Sequence, residues 1–331
     1  MEEPTPRPAV YRAYWAFAAE RHSIFERRLA GHDGPWTQDP ILREHRFCNV
    51  FRAADRVSQH LIQEAAYGDR HADVDDLFLR VVLHRLFCKP ATWHLLESEL
   101  DGIDAASFSP DSYAAVLDRA FESGQRLYTG AYILCANRAY GHERKHRNHL
   151  ALLHAMLSEG VPNRVARAPS LEAVYHELTS WPLIGPFMGY QLAIDLNYSP
   201  LISFSENDFT TPGPGAMRGL AKVFVDLGDF SPSEAIFWLV AKQETVKAEL
   251  DHEPPRLFGR QLHAIDCQNL LCEVDKYCRV AFPALASNRT QIKQRFMPDP
   301  QPYPLFFPPE WGINDAVADE RKACVNNPAH I

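Results

Sequence analysis

The chain has no run of about 18 apolar residues, the length a helix needs to cross a bilayer, so no transmembrane segment is expected. It lacks the basic-then-apolar order of a secretory leader, since Met1 to Pro8 is acidic and proline-rich; a cytoplasmic location is expected. It lacks a surplus of positive charge. The net charge is −8 over 331 residues, so any polyanion must be met by a local basic patch rather than by the whole molecule. A disulfide framework is missing too: seven cysteines at 48, 88, 135, 267, 272, 278 and 324 are odd in number and scattered, which points to reduced thiols. With no C-x-x-C pair, the closest trio, Cys267, Cys272 and Cys278, reads as structural, and neither metal nor other cofactor is implied. There is no Walker sequence G-x-x-x-x-G-K-[ST], which argues against phosphorylation by this chain. GPGAMRG at 213–219 lacks Rossmann spacing and reads as a turn opening a helix.

What is present is helical periodicity, and the expected class is all-α. Residues 9–30 place Tyr14, Phe17, Ala18, Ile24 and Phe25 near one face with charges opposite. Pro40 leads into a second helix expected from about 41 to 66, and a buried helix is expected over 76–87. Ser109 can cap the next, with Pro110 in its first turn. Further helices are expected near 111–123, 128–139, 145–158, 170–180, 187–197, 215–227, 232–250 and 262–280, with a short extended piece near 201–204. Beyond 296 the run MPDPQPYPLFFPPEWG is too rich in proline for regular helix. The expected organisation is one helical domain over 1–296 and an extended tail over 297–331 whose aromatics dock on the body.

The most informative segment is 171–220. A helix ends near Ser180, Pro182-Leu183-Ile184-Gly185-Pro186 makes a tight turn, and a second helix starts around Phe187. Glycine there lets a phosphate approach the backbone, and the first-turn amides of the next helix can bind it. The pattern resembles the helix-hairpin-helix of the DNA glycosylase superfamily, with Leu183 in place of the hairpin's first glycine. An ordinary helical corner is the alternative. Ile184, Gly185, Phe187 and Gly189 are the expected backbone contacts. The superfamily places a catalytic aspartate about twenty residues on, and Asp208 follows Gly185 by 23 positions. Its carboxylate could stabilise an oxocarbenium-like sugar or orient water; otherwise it caps a helix. Phe187 stands where strand-cutting relatives carry a Schiff-base lysine, so no lyase activity is expected.

Several stretches in order are similar to a narrower family, the alpha-glutamyl/putrescinyl thymine pyrophosphorylases and the helical domain of 5-hydroxymethyluracil DNA kinases. They are WTQDPILREHRFCNVFRAADRVS at 36–58, YTGAYILCANR at 128–138, IGPFMGYQLAIDLNY through TPGPGAMRGL at 184–220, and IDCQNLLCEVDKYCRV at 265–280. The resemblance covers about 10–296. It implies a helix-hairpin-helix glycosylase-like fold, two helical lobes with an active-site cleft between them, acting on a modified base in DNA, in phage DNA hypermodification or in defence against it.

On a helix, Arg46, Asn49, Arg52 and Arg56 would share one face, where guanidinium and amide groups can hold phosphate or read a base edge. A solvated face paired with Asp55 and Glu44 is the plainer alternative. Trp36, beside Asp39, could stack on a base or belong to the core. Tyr132 and Gln191 join the candidate pocket by resemblance and polarity. Arg138, Arg144, Lys145 and Arg147 in NRAYGHERKHRNH form the best candidate for contact with a duplex backbone. The favoured expectation is a monofunctional DNA glycosylase that flips a modified pyrimidine and cleaves its glycosidic bond, with Asp208 essential. The alternatives are a transferase replacing pyrophosphate on an activated 5-hydroxymethyluracil with an amine or amino acid, and a non-catalytic DNA-binding module. DNA is the expected partner; no obligate protein partner is evident.

Overall fold

A computed structural model describes residues 2–68, 73–129, 138–285, 289–297 and 304–325. The helices are α1 (Pro8–Leu29), α2 (Pro40–Glu44), α3 (Arg56–His60), α4 (Val74–Phe87), α5 (Pro90–Glu99), α6 (Pro110–Glu122), α7 (Lys145–Ser158) and α8 (Val161–Ala166). They continue with α9 (Leu171–Thr179), α10 (Pro186–Asn197), α11 (Pro214–Val223), α12 (Pro232–Lys242), α13 (Val246–Leu250), α14 (Ala264–Ala281) and α15 (Asn314–Val325). The described strands are β1 (Thr5–Pro6) and β2 (Phe224–Asp226), an antiparallel pair. No helix among the described residues is long and apolar enough to cross a membrane. The residues pack as two compact units, Met1–Asp55 with Phe209–Ile331, and Arg56–Asp208.

The first unit is centred on α14, whose residues Ile265, Cys267, Leu271, Val274 and Cys278 are fully buried. Helix α11 lies hard against it because two glycines face it. A Cβ on Gly219 would stand 2.2 Å from the Leu271 carbonyl oxygen, and one on Gly215 2.7 Å from Cys272 Sγ. The sequence GPGAMRGL therefore does two jobs. Gly213 and Pro214 start the helix, as the sequence suggested, and Gly215 and Gly219 remove the side chains that would hold the helices apart. Arg218 and Lys222 lock the pair through the buried Asp275, at 3.1 and 2.9 Å. Helix α1 packs on the same core through Val10, Tyr14, Phe17 and Ala18. Burial raises the Cys267 and Cys272 thiols to about 12 and Cys278 to about 11, so all three stay protonated.

The second unit is built on α4, buried along its whole length from Leu77 to Phe87. A buried ion pair ties it to α10: Arg85 donates from Nη2 to Asp195 Oδ1 at 2.7 Å and from Nε to Oδ2. Helices α9 and α10 form the hairpin. Its turn puts Leu183 at φ +69°, the left-handed conformation that glycine adopts most easily. Gly189 permits the close crossing, since a Cβ there would meet Thr179 Cγ2 at 2.4 Å.

Three expectations are corrected. The single helix expected over 41–66 is broken: after α2 the chain runs irregularly through 45–51, makes a 3-10 turn at Arg52–Ala54 and resumes with α3 and a π-helix at Leu61–Ala66. Acceptors outside the helical pattern, most of them distant in sequence, replace the helical carbonyls. Arg46 N donates to Gln294 O, Cys48 N to Glu273, Asn49 N to Asp55 and Arg52 N to Asp266. Arg46, Asn49, Arg52 and Arg56 therefore share no helical face. The helix expected over 232–250 breaks after α12, where the Gln243 amide both donates to and accepts from the Leu262 backbone. Beyond 296, Phe307 is fully buried, and its backbone exchanges hydrogen bonds with the Asn314 side chain at 2.9 and 2.8 Å. Regular helix returns in α15, once the prolines stop.

Candidate functional site

Within the first unit the loop after α1 folds back over it, and Trp36, Phe47 and Phe296 line a cavity of about 430 Å³. Ile24 and Leu42 add aliphatic wall, and Arg21, Arg43 and His45 supply its charged and polar groups. Among the described residues no carboxylate lines it, so it suits a flat ligand with anionic or carbonyl groups rather than a cation.

Local chemistry builds each wall. Asp39 caps α2, accepting from Ile41 N and Leu42 N at 2.7 and 3.0 Å, and takes the Tyr277 hydroxyl at 2.7 Å. Thr37 Oγ1 accepts from Asp39 N at 3.0 Å. Trp36 donates from its indole to His32 O, faces the Arg28 guanidinium 5.1 Å away, and meets Phe296 edge to face at 6.1 Å. Phe296 is held there because its N–H donates to Glu44 O while Arg46 N donates to Gln294 O.

Beneath the cavity lies a buried polar network. Arg21 donates to Asn49 Oδ1 at 2.5 Å and to Phe47 O at 3.3 Å. Asn49 N–H donates to Asp55, and the Asn49 carbonyl accepts from Asn269. Burial raises the Asp55 carboxyl to about 6, against the opposing effects of the Asn49 N–H and the Arg21 charge. Lys276 pairs with Glu273 at 2.6 Å, and that ion pair outweighs burial to raise the lysine's pKa. Arg52 is buried beside Asp266.

The structure thus brings Trp36, Asp39, Asn49 and Arg52 into one unit and one polar neighbourhood. Of these, Trp36 alone lines the cavity. Arg46 is exposed, and its carbonyl accepts from Lys276. Gln191 belongs to the second unit, buried in α10. Tyr132 lies outside the described residues. Sequence pattern did not single out Arg21, Arg43, His45, Phe47 or Phe296. Arg43, His45 and Phe47 sit inside the quoted 36–58 stretch, but Phe296 is delivered by tertiary pairing, which no local pattern announces.

In the second unit Ile184 is buried, Gly185 is the exposed N-cap of α10, Phe187 is half-buried and Gly189 is a packing residue. Asp208 is exposed in a turn closed by its N–H to Ser205 O. It does not cap α11, whose N-cap is Gly213. The basic cluster is largely neutralised within the unit. Asp118 takes Arg144 Nη1 at 2.6 Å, Arg147 Nε at 3.1 Å and His146 Nε2 at 2.6 Å, and Glu122 takes Arg144 Nη2 at 2.8 Å. Burial pushes the Asp118 carboxyl up, but the bonds from Arg147, His146 and Arg144 outweigh it and hold it well below the usual range. Lys145 lies over the Tyr128 ring at 4.2 Å, and exposed Arg138 is 3.7 Å from Glu143.

The described residues form a mostly helical protein whose first unit holds an aromatic pocket with Arg21, Arg43 and His45 in its lining. The chain belongs to the family described as 5-hmdU DNA kinase, helical domain, whose family model matches residues 8–287. It is similar to the 5-hmdU DNA kinase of Bacillus phage SP10, at 26% identity over 295 residues, covering 83% of this chain and 46% of that protein. The chain thus spans about half the length of that relative. No solved structure matches it. These likenesses overturn the glycosylase expectation: both names concern phosphotransfer to a modified uridine in DNA, not hydrolysis of a glycosidic bond.

Proposed function

We propose that this chain recognises 5-hydroxymethyl-2′-deoxyuridine in DNA as the substrate-binding part of a phosphotransfer system. The family match over 8–287 carries this reading. The cavity supports it: aromatic walls suit a base, and Arg21 and Arg43 suit the phosphates beside it. The hairpin adds a second contact, with Leu183 to Gly185 and the first turn of α10 approaching a backbone phosphate. The basic patch, with Arg138 at its exposed edge, steers the duplex. Asp208 has no hydrolytic role in this scheme.

The test is competitive retention of duplexes that differ at one position, 5-hmdU against thymidine. Preference for the 5-hmdU duplex supports the reading, and equal retention overturns it. Mass spectrometry of the recovered DNA should show no released base. A second reading, transfer of a group onto the 5-hydroxymethyl carbon by this chain, is favoured by the cations at the cavity. A mass adduct on the recovered nucleoside after incubation with an amine and a pyrophosphorylated substrate would support it.

A further inference from the structure

One polar atom beside the Trp36 cavity is unused by the fold. His45 Nδ1 is buried without a hydrogen-bond partner, although the His45 ring forms part of the cavity wall. The ring's position is fixed by the backbone on both sides. His45 N–H donates to Ile41 O at 3.0 Å at the end of α2, and the residue bridges to Arg295 in antiparallel register. Its Nε2 is 3.9 Å from the half-exposed Glu44 carboxylate. A buried polar atom without a partner is costly to the folded state, and a ligand group that pairs with it recovers that cost on binding. His45 lines the cavity, so Nδ1 belongs to a residue that an occupant of the cavity touches.

We propose that the cavity seats the base of a single extruded 5-hmdU nucleotide, and that His45 is the residue that distinguishes its hydroxymethyl group from the methyl of thymine. The assignment rests on the reading of the previous subsection and adds the seat and the discriminating atom. Four observations converge on it. The volume of about 430 Å³ is near the lower end of small-ligand sites, fitting one nucleoside rather than a longer segment. Trp36, Phe47 and Phe296 offer π-faces and edges to a base. Arg43 is exposed at the cavity, while Arg21 is braced on Asn49, so cations stand where flanking phosphates arrive. The orphan Nδ1 supplies the selectivity. An apolar wall scarcely separates a hydroxymethyl from a methyl, whereas a site with a polar atom to satisfy rejects the analogue that leaves it unpaired. The imidazole can donate to the hydroxyl oxygen or accept its proton, according to tautomer.

The experiment compares the wild-type chain with His45→Phe, which keeps a ring of similar shape and removes both nitrogens. Each is titrated by fluorescence anisotropy against duplexes carrying one 5-hmdU or one thymidine. In parallel, wild type is photocrosslinked to a duplex carrying 5-iodo-deoxyuridine at that position, and the adduct is mapped by peptide mass spectrometry. The expected result is a wild-type preference of about tenfold, abolished in His45→Phe, and a crosslink within 34–47 or at Phe296. No preference in wild type overturns the recognition reading and this assignment together. A wild-type preference that His45→Phe retains, or a crosslink elsewhere in the chain, overturns the assignment and leaves the recognition reading standing. The crosslink uses the unaltered chain, so it decides the seat even if the variant does not fold.

Discussion

Leu183 carries a backbone cost that a glycine at the same position would not. It occupies the left-handed region at φ +69° in the hairpin turn, where an L-residue costs roughly 1–2 kcal/mol relative to glycine. Leu183→Gly relieves that strain, partly offset by the greater freedom of the unfolded chain, and should stabilise the protein by up to about 1 kcal/mol in urea unfolding. A loss of stability would mean that the half-buried leucine side chain contributes more than its backbone costs. The Arg85–Asp195 pair is the opposite case. Both side chains are buried and doubly bonded, so Asp195→Asn removes the negative charge to which Arg85 Nε and Nη2 donate. It should cost about 3–5 kcal/mol, read as a lowered urea midpoint with unchanged slope.

Helix pairs are decided by small residues. The α11–α14 crossing depends on Gly219, where any Cβ would overlap the Leu271 carbonyl, and backbone cannot yield as a flexible side chain does. Gly219→Ala should therefore lose at least about 1–3 kcal/mol despite the better helix propensity of alanine, and Gly185→Ala, with open space around it, should be near neutral. Comparing the two variants by thermal melts separates packing from propensity. Both glycines are visible in the sequence, yet nothing local says which one touches another backbone. The broken helix over 41–66 has the same origin: its residues carry helical spacing, and the acceptors that unwind it, Glu273 and Gln294 O, lie more than two hundred residues on.

Across the molecule, buried histidines set the response to acid. His22 and His60 are lowered by burial to about 4 and His149 to about 3, against an ordinary 6.5. Below pH 6.5 the unfolded chain takes up protons that the folded chain refuses, so stability is lost as pH falls from about 6.5 towards 4. Asp55 acts in the other direction. Its folded value is raised to about 6, so its contribution is present below its ordinary value of 3.8 and is lost as pH rises through about 6. Three imidazoles outweigh one carboxyl, since each tenfold loss of proton affinity on folding is equivalent to roughly 1.4 kcal/mol. The melting temperature should fall between about pH 6.5 and 4.5, and His60→Phe should flatten that slope in a pH series of calorimetric scans. A flat profile for wild type would show that these imidazoles reach solvent in the folded state.

The amino-acid sequence alone determined the helical class, most helix positions, the capping of α6 by Ser109, the two helices joined by a turn over 171–197 and the family resemblance, because these depend on local spacing and on residue order along one chain. Tertiary structure decided the site. Arg144 and Arg147 read as free cations until Asp118, some 26 to 29 residues earlier, is seen to hold them. The Trp36 cavity exists because residues 294–296 pair with 44–46, bringing Phe296 against an indole about 260 positions away. Charge neutralisation and cavity closure depend on which distant groups meet in space, and periodicity along the chain carries no record of that.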